Sequence, residues 1–133
     1  MFAEDLIVGP GHVSVTDGIV ALSFGCRLNW YRALPVSCVE HLAVTVDGTL
    51  LPPRAVTVRL NGRRMTVAAL VEHDDYWWPT GQVSWLDCML GTHPAKSRYE
   101  VVLDMGIRVP YMGPMPDGSW RLVRDQCTAQ VPA

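Results

Sequence analysis

The residues able to do chemistry are scattered along this chain. Four cysteines stand at Cys26, Cys38, Cys88 and Cys127, and four histidines at His12, His41, His73 and His93. No two cysteines form a C-x-x-C pair, so neither a zinc knuckle nor a thioredoxin-like redox centre is implied. In a reducing compartment, free buried thiols are the expected state. The densest group of ligand-type side chains is "EHDDYWW", Glu72 to Trp78, where His73 stands among three acids. Metal sites need convergent ligands from more than one place in the chain. No second cluster is recognisable, so a solvated turn ahead of an aromatic strand is expected instead. A cupin-type metal enzyme would need two or three histidines in strand register, which the spacing does not supply. Adjacent acids such as Asp74 and Asp75 do not make a glycosidase pair. Ser37 beside Cys38 has no identified base, and there is no G-x-S-x-G elbow. "GPGH" is not followed by the helix a phosphate loop requires. We therefore assign no catalytic residue and no metal ligand to this chain.

Aromatic and apolar residues in connections carry more information. "WYRALPVS", Trp30 to Ser37, holds two aromatics, an arginine and a proline, and has neither strand nor helix period. Connections are normally solvated and polar. Trp30, Tyr31, Trp77, Trp78, Tyr111, Met112 and Met115 all fall at strand ends or in connections. One such residue folds back over a core edge; several together make an apolar patch, and patches of Tyr, Trp, Met and Arg mark binding surfaces. Trp77 and Trp78 are the candidates for stacking on a ligand ring.

The elements that must position these residues read as strands. "GIVALSFGCRL" is rich in β-branched and aromatic residues and follows the turn "TDG". "VEHLAVTVDGT" sets Leu42, Val44 and Val46 on one face and ends in Asp47-Gly48, a hairpin signal. In "AVTVRLNGRRMTV", Val56, Val58 and Leu60 alternate with Thr57 and Arg59, Asn61-Gly62 suits a type I′ turn, and Met65 and Val67 return. "QVSWLDCML" puts Val83 and Trp85 on one face. The longest strand, "RYEVVLDMGIRVPY", aligns Tyr99, Val101, Leu103, Met105, Ile107 and Val109. "SWRLVRDQCTAQV" alternates weakly and closes the chain. No window carries a capped helical stripe. Seven to nine short strands with turn signals between them predict an all-β chain: an antiparallel β-sandwich, jelly-roll-like, as one domain over residues 1–133, with little helix.

Composition narrows the function classes. At 133 residues and a net charge of −2, with no basic stripe, nucleic acid is not the expected partner. Ten of the eleven basic residues are arginine, the cation favoured at interfaces. No apolar run approaches the roughly 20 residues of a membrane span, so no membrane partner is expected. "MFAEDLIVGPGH" carries acids where a signal peptide needs basic residues, so a cytoplasmic location is expected.

The stretch "CRLNWYRALPVSCVEHLAVTVDGTLLPP" resembles the small β subunit of bacterial C-glycoside deglycosidases. Tyr31, Arg32, Leu34, Pro35 and Ser37 match that family's loop, and Glu40, Val44, Val46, Asp47 and Gly48 its following strand. "YWWPTGQVSW" looks like its aromatic segment. "IRVPYMGPMPDG" looks like its late Arg-x-x-Tyr-Met segment, through Arg108, Tyr111 and Met112. The likeness runs in order from Gly18 to Val131. Ala33 stands where the family commonly has glycine, and "MLGTHPAKSRYE" lacks the usual Gly-Gly-Leu.

What the resemblance implies is a division of labour. The β subunit is a sandwich without a cofactor, bound to a larger α subunit. The α subunit is a TIM barrel similar to sugar isomerases and epimerases, and it carries a divalent metal, typically manganese. Together they cleave the carbon–carbon bond between a 3-keto sugar and an aromatic aglycone, a lyase reaction on C-glycosides such as those of flavonoids. On this reading Trp30, Tyr31, Arg32, Leu34, Pro35, Tyr111, Met112 and Met115 face the partner. The competing reading is a stand-alone module that binds carbohydrate or aromatic ligands on Trp77 and Trp78.

Overall fold

The computed structural model of the chain describes residues 6–30, 32–73, 75–79, 83–92 and 94–133, and of Met112 the backbone alone. Its strands are β1 (Ile7–Thr16), β2 (Ile19–Cys26), β3 (Leu34–Pro35), β4 (Val39–Val46), β5 (Thr49–Leu50), β6 (Val56–Leu60), β7 (Arg63–Thr66), β8 (Trp77–Trp78), β9 (Ser84–Gly91), β10 (Arg98–Arg108) and β11 (Leu122–Pro132). A five-stranded sheet runs in the order β1-β2-β9-β6-β7, and a four-stranded sheet in the order β11-β10-β4-β5. All pairings in them are antiparallel. Among the described residues the helical elements are short 3-10 turns, at Val36–Cys38, Pro53–Ala55, Val67–Glu72 and Pro110–Met112. Among the described residues no helix is long and apolar enough to cross a membrane.

Alternation makes the layers. Leu22 and Phe24 of β2, Leu86 and Cys88 of β9, and Val58 and Leu60 of β6 point into the same core as Leu42 and Val44 of β4 and Val101, Leu103, Met105 and Ile107 of β10. Leu42, Val44, Val58, Leu60, Val101, Leu103, Met105 and Ile107, on apolar faces that the alternation marks, are thus all buried. In β9 the inward face is Ser84, Leu86, Cys88 and Leu90, so Val83 and Trp85 look outward. Period-2 alternation explains both outcomes, since every second side chain must leave the core.

Three tight turns carry the hairpins. Asp17-Gly18, Asp47-Gly48 and Asn61-Gly62 all have positive φ at both residues, the signature of a two-residue type I′ turn. Asn and Asp tolerate this region better than other residues with a Cβ, and glycine enters it without steric cost.

Strand β1 was not expected from the sequence. Its "GPGH" segment holds a cis Gly9-Pro10 bond and an irregularity in the β2 register between Val8 and His12. A Cβ on Gly11 would come within 2.7 Å of Val131 Cγ1 and 2.8 Å of the Ser23 carbonyl oxygen. Glycine there lets β1 pass close to β11, which belongs to the other sheet.

Candidate functional site

Strand ends that meet bring the aromatic connections together. Cys26, last in β2, pairs with Ser84, first in β9. At the same end Arg108, last in β10, pairs with Leu122, first in β11, and Ile107 pairs with Val39, first in β4. The connections 27–33 and 109–121, together with β3 and β8, therefore share one end of the sandwich.

A buried polar residue anchors the first connection. The Asn29 side chain is fully buried, and its Nδ2 donates to the carbonyls of Met105 at 3.2 Å and Val123 at 3.3 Å and to Asp125 Oδ2 at 2.9 Å. One amide thus ties the connection to both β10 and β11. No local sequence pattern marks it as an anchor, because its partners are 76 to 96 residues away. A lone amide between Leu28 and Trp30 was the available signal: a polar side chain in apolar company is buried only when hydrogen-bonded.

Beyond Asn29 the chain splits its apolar residues between core and surface. Trp30 is half-buried against the core, and its indole N–H donates to the Tyr111 hydroxyl. Arg32 is exposed, with its guanidinium carbon 4.7 Å from the centroid of the Tyr111 ring. Among the described residues no carboxylate pairs with Arg32. Leu34 turns inward and is buried, facing Trp78 across the two-stranded β3–β8 ribbon, while Pro35 faces Trp77. The Val36 N–H donates to the Tyr76 carbonyl at 2.8 Å, extending this pairing. Tyr76 in turn donates its hydroxyl to the Leu60 carbonyl at 2.7 Å.

The ribbon corrects the expectation for the tryptophan pair. Trp78 is 0% exposed and plugs the core, whereas Trp77 is 55% exposed. Adjacent strand residues face opposite ways, so only Trp77 presents a ring to solvent. Leu34 is corrected likewise: it is a core residue beneath the surface. Tyr31 lies outside the described residues, as does the side chain of Met112.

The second connection is a small folded hairpin. The Met115 N–H donates to the Ser119 carbonyl at 2.6 Å and the Gly118 N–H to the Met115 carbonyl at 2.8 Å. Asp117 Oδ1 accepts from the Ser119 N–H at 2.9 Å and hydroxyl at 2.6 Å, and these bonds hold its carboxyl below the usual range. This structure displays Met115 and Trp120 outward, and Tyr111 is also exposed. Arg108 stands behind them, 5.7 Å from the Trp120 ring centroid and 3.6 Å from Glu40 Oε1. Trp120 was not among the residues expected at the site; a single Trp in a polar run, "DGSWR", offered no pattern.

Residues 7–111 match the family model described as C-glycoside deglycosidase beta subunit. The chain belongs to this family. The deglycosidase β-subunit match covers β1 through β10 and the connection before β3, and stops short of Met115 and Trp120. The chain is 35% identical over 117 residues to the 3'-dehydrocarminate deglycosidase beta subunit of a Microbacterium species, covering 84% of this chain and 82% of the relative. It is 32% identical over 108 residues to a C-glycoside deglycosidase beta subunit of Arthrobacter globiformis, covering 81% of each. A further C-glycoside deglycosidase beta subunit, from Microbacterium trichothecenolyticum, is 33% identical over 108 residues, covering 81% of this chain and 80% of the relative. Of the stretches that carry the resemblance, Arg32 lies in the connection before β3, and Val46, Asp47 and Gly48 lead into the β4–β5 turn.

No three His, Cys, Asp or Glu side chains among the described residues converge as a metal site.

Proposed function

We propose that this chain is the supporting subunit of a heteromeric C-glycoside deglycosidase, docking its aromatic end onto a larger catalytic subunit. Membership in a β-subunit family supports a partner. The observation that carries the docking face is the gathering of exposed Trp77, Tyr111, Met115 and Trp120 at one end of the sandwich, with Arg32 over the Tyr111 ring and Arg108 beside Trp120. Aromatic, Met and Arg side chains are the types enriched in interface cores. The expected partner is a TIM-barrel subunit of the sugar-isomerase kind, which holds the metal, manganese, and the acid–base groups. Its substrate is a C-glycoside whose sugar carries a 3-keto group and whose aglycone is aromatic. When bound there, the metal would polarise the ketone so that a base can take the neighbouring C2 proton and the aglycone can leave. The present chain covers the partner's surface, excludes water and orients the substrate. Its four free, buried cysteines fit a reducing, cytoplasmic setting. The stand-alone module is the weaker reading, since the burial of Trp78 removes half of its stacking pair.

Reconstitution tests the proposal. With both subunits and manganese, a 3-keto C-glycoside should release its aglycone. Turnover by this chain alone, or full turnover by the larger subunit without it, would overturn the supporting role.

A further inference from the structure

Grooves on the described surface differ in what lines them. One of about 230 Å³ lies at the far end, among Val46, Asp47, Leu90, Pro94, Lys96 and Tyr99; its cation, Lys96, is paired with Asp47 at 2.7 Å, and the groove is smaller than the roughly 300–1,000 Å³ usual for small-molecule sites. A second, of about 400 Å³, runs beside β4, with aliphatic walls that include Leu50, Val67 and Val71. A third, of about 410 Å³, lies within the aromatic end and is lined by Arg32, Leu34, Pro35, Trp77, Pro110 and Tyr111, with Ala33.

The third groove combines features the others lack. The exposed Trp77 indole gives one wall a flat π face, and two prolines add rigid apolar surface that loses little entropy on binding. The Arg32 guanidinium also lines the groove, stacked on Tyr111 at 4.7 Å. That stacking holds the fork in place, so an anion reaching it meets a preorganised donor. Among the described residues no carboxylate occupies that donor. An apolar slot with a π wall and a cation that no carboxylate among the described residues neutralises complements a flat aromatic ring bearing an anionic oxygen.

We propose that this groove holds the aromatic aglycone of the substrate, its ring against Trp77 and its phenolate or carboxylate oxygen on Arg32. The sugar end then crosses the seam into the larger subunit. This assignment rests on the reading of the chain as a deglycosidase subunit. It gives the supporting subunit a part in substrate selection.

Anthraquinone-2-carboxylate is the probe, titrated into the assembled two-subunit enzyme and followed by tryptophan quenching. Anthraquinone-2-carboxamide serves as its uncharged counterpart. Trp77→Ala should weaken the carboxylate probe roughly tenfold, the equivalent of about 1.4 kcal/mol. Arg32→Gln should do the same and abolish the preference for carboxylate over carboxamide. Both variants should raise KM for the 3-keto C-glycoside, read on the fraction that still co-elutes with the larger subunit, while the isolated chains melt as the unsubstituted chain does. Unchanged probe binding in assembled, active variants would overturn this assignment alone. If Arg32→Gln abolishes assembly while Trp77→Ala leaves probe binding intact, the anion on Arg32 is a carboxylate of the partner, and the assignment fails. An unsubstituted pair that neither assembles nor turns over would overturn the supporting-subunit reading, and this assignment with it.

Discussion

Asn29 Nδ2 donates to Asp125 Oδ2 at 2.9 Å, joining residues 96 positions apart at the base of the aromatic end. The same nitrogen holds two β-strand carbonyls, so the connection before β3 is fixed to the smaller sheet at its root. Asn29→Ala would remove the hydrogen bonds to the Met105 and Val123 carbonyls and to Asp125. Such losses cost about 1–3 kcal/mol. Urea unfolding of the variant should show a destabilisation in that range, together with weaker assembly. A change under about 0.5 kcal/mol would contradict the anchoring role.

Leu103 sits at the centre of β10 and is fully buried among residues of both sheets. Leu103→Ala removes buried apolar volume that neighbouring strands cannot refill. The expected cost is about 2–5 kcal/mol by denaturant unfolding. A cost under about 1 kcal/mol would contradict the core assignment.

All four cysteines are buried and free. Burial pushes the Cys26 thiol up to about 12, and burial first, then the charge of Asp87, pushes Cys88 up further. The thiolate is the reactive form, so the native chain at pH 8 should react negligibly with an aromatic disulfide reagent. After denaturation all four thiols should react. Rapid labelling of the native chain would contradict this packing.

On the outer face of the smaller sheet, Arg124 donates to both oxygens of Asp104, at 3.0 and 3.1 Å, and His41 lies 3.6 Å away. The Arg124 hydrogen bonds are the main cause that holds the Asp104 carboxyl below its ordinary 3.8. A depressed folded value means stabilisation that is present above that ordinary value and lost as pH falls through the folded one. The gap in melting temperature between the unsubstituted chain and Asp104→Asn should therefore shrink between pH 5 and pH 3. Added salt should narrow it at pH 5. A gap that widens on acidification would contradict the pairing.

The sheets were legible because their cores alternate cleanly. Leu42 to Val46 and Tyr99 to Val109 have one face of apolar residues, and Asn61-Gly62 fixes the turn that returns β7 along β6. Strand β1 was hidden because Gly9, Pro10 and Gly11 break the alternation, and its place depends on Val131 at the other end of the chain. The aromatic end was legible as a group of residue types. Its division into core and surface was not. "WW" shows only that one ring goes in and one goes out; pairing with Leu34 in β3 makes Trp78 the inner one. Asn29 and Trp120 act through contacts with distant segments, Asn29 with 105 and 123–125 and Trp120 with Arg108, which no local pattern encodes.

The docking face is tested most directly by amide hydrogen exchange of this chain, free and bound to the larger subunit. Binding should slow exchange at residues 32–34, 77–78 and 111–120 and leave the far end, at 45–50 and 95–100, unchanged. Protection concentrated at the far end, with the aromatic end exchanging as in the free chain, would contradict the assignment of this surface.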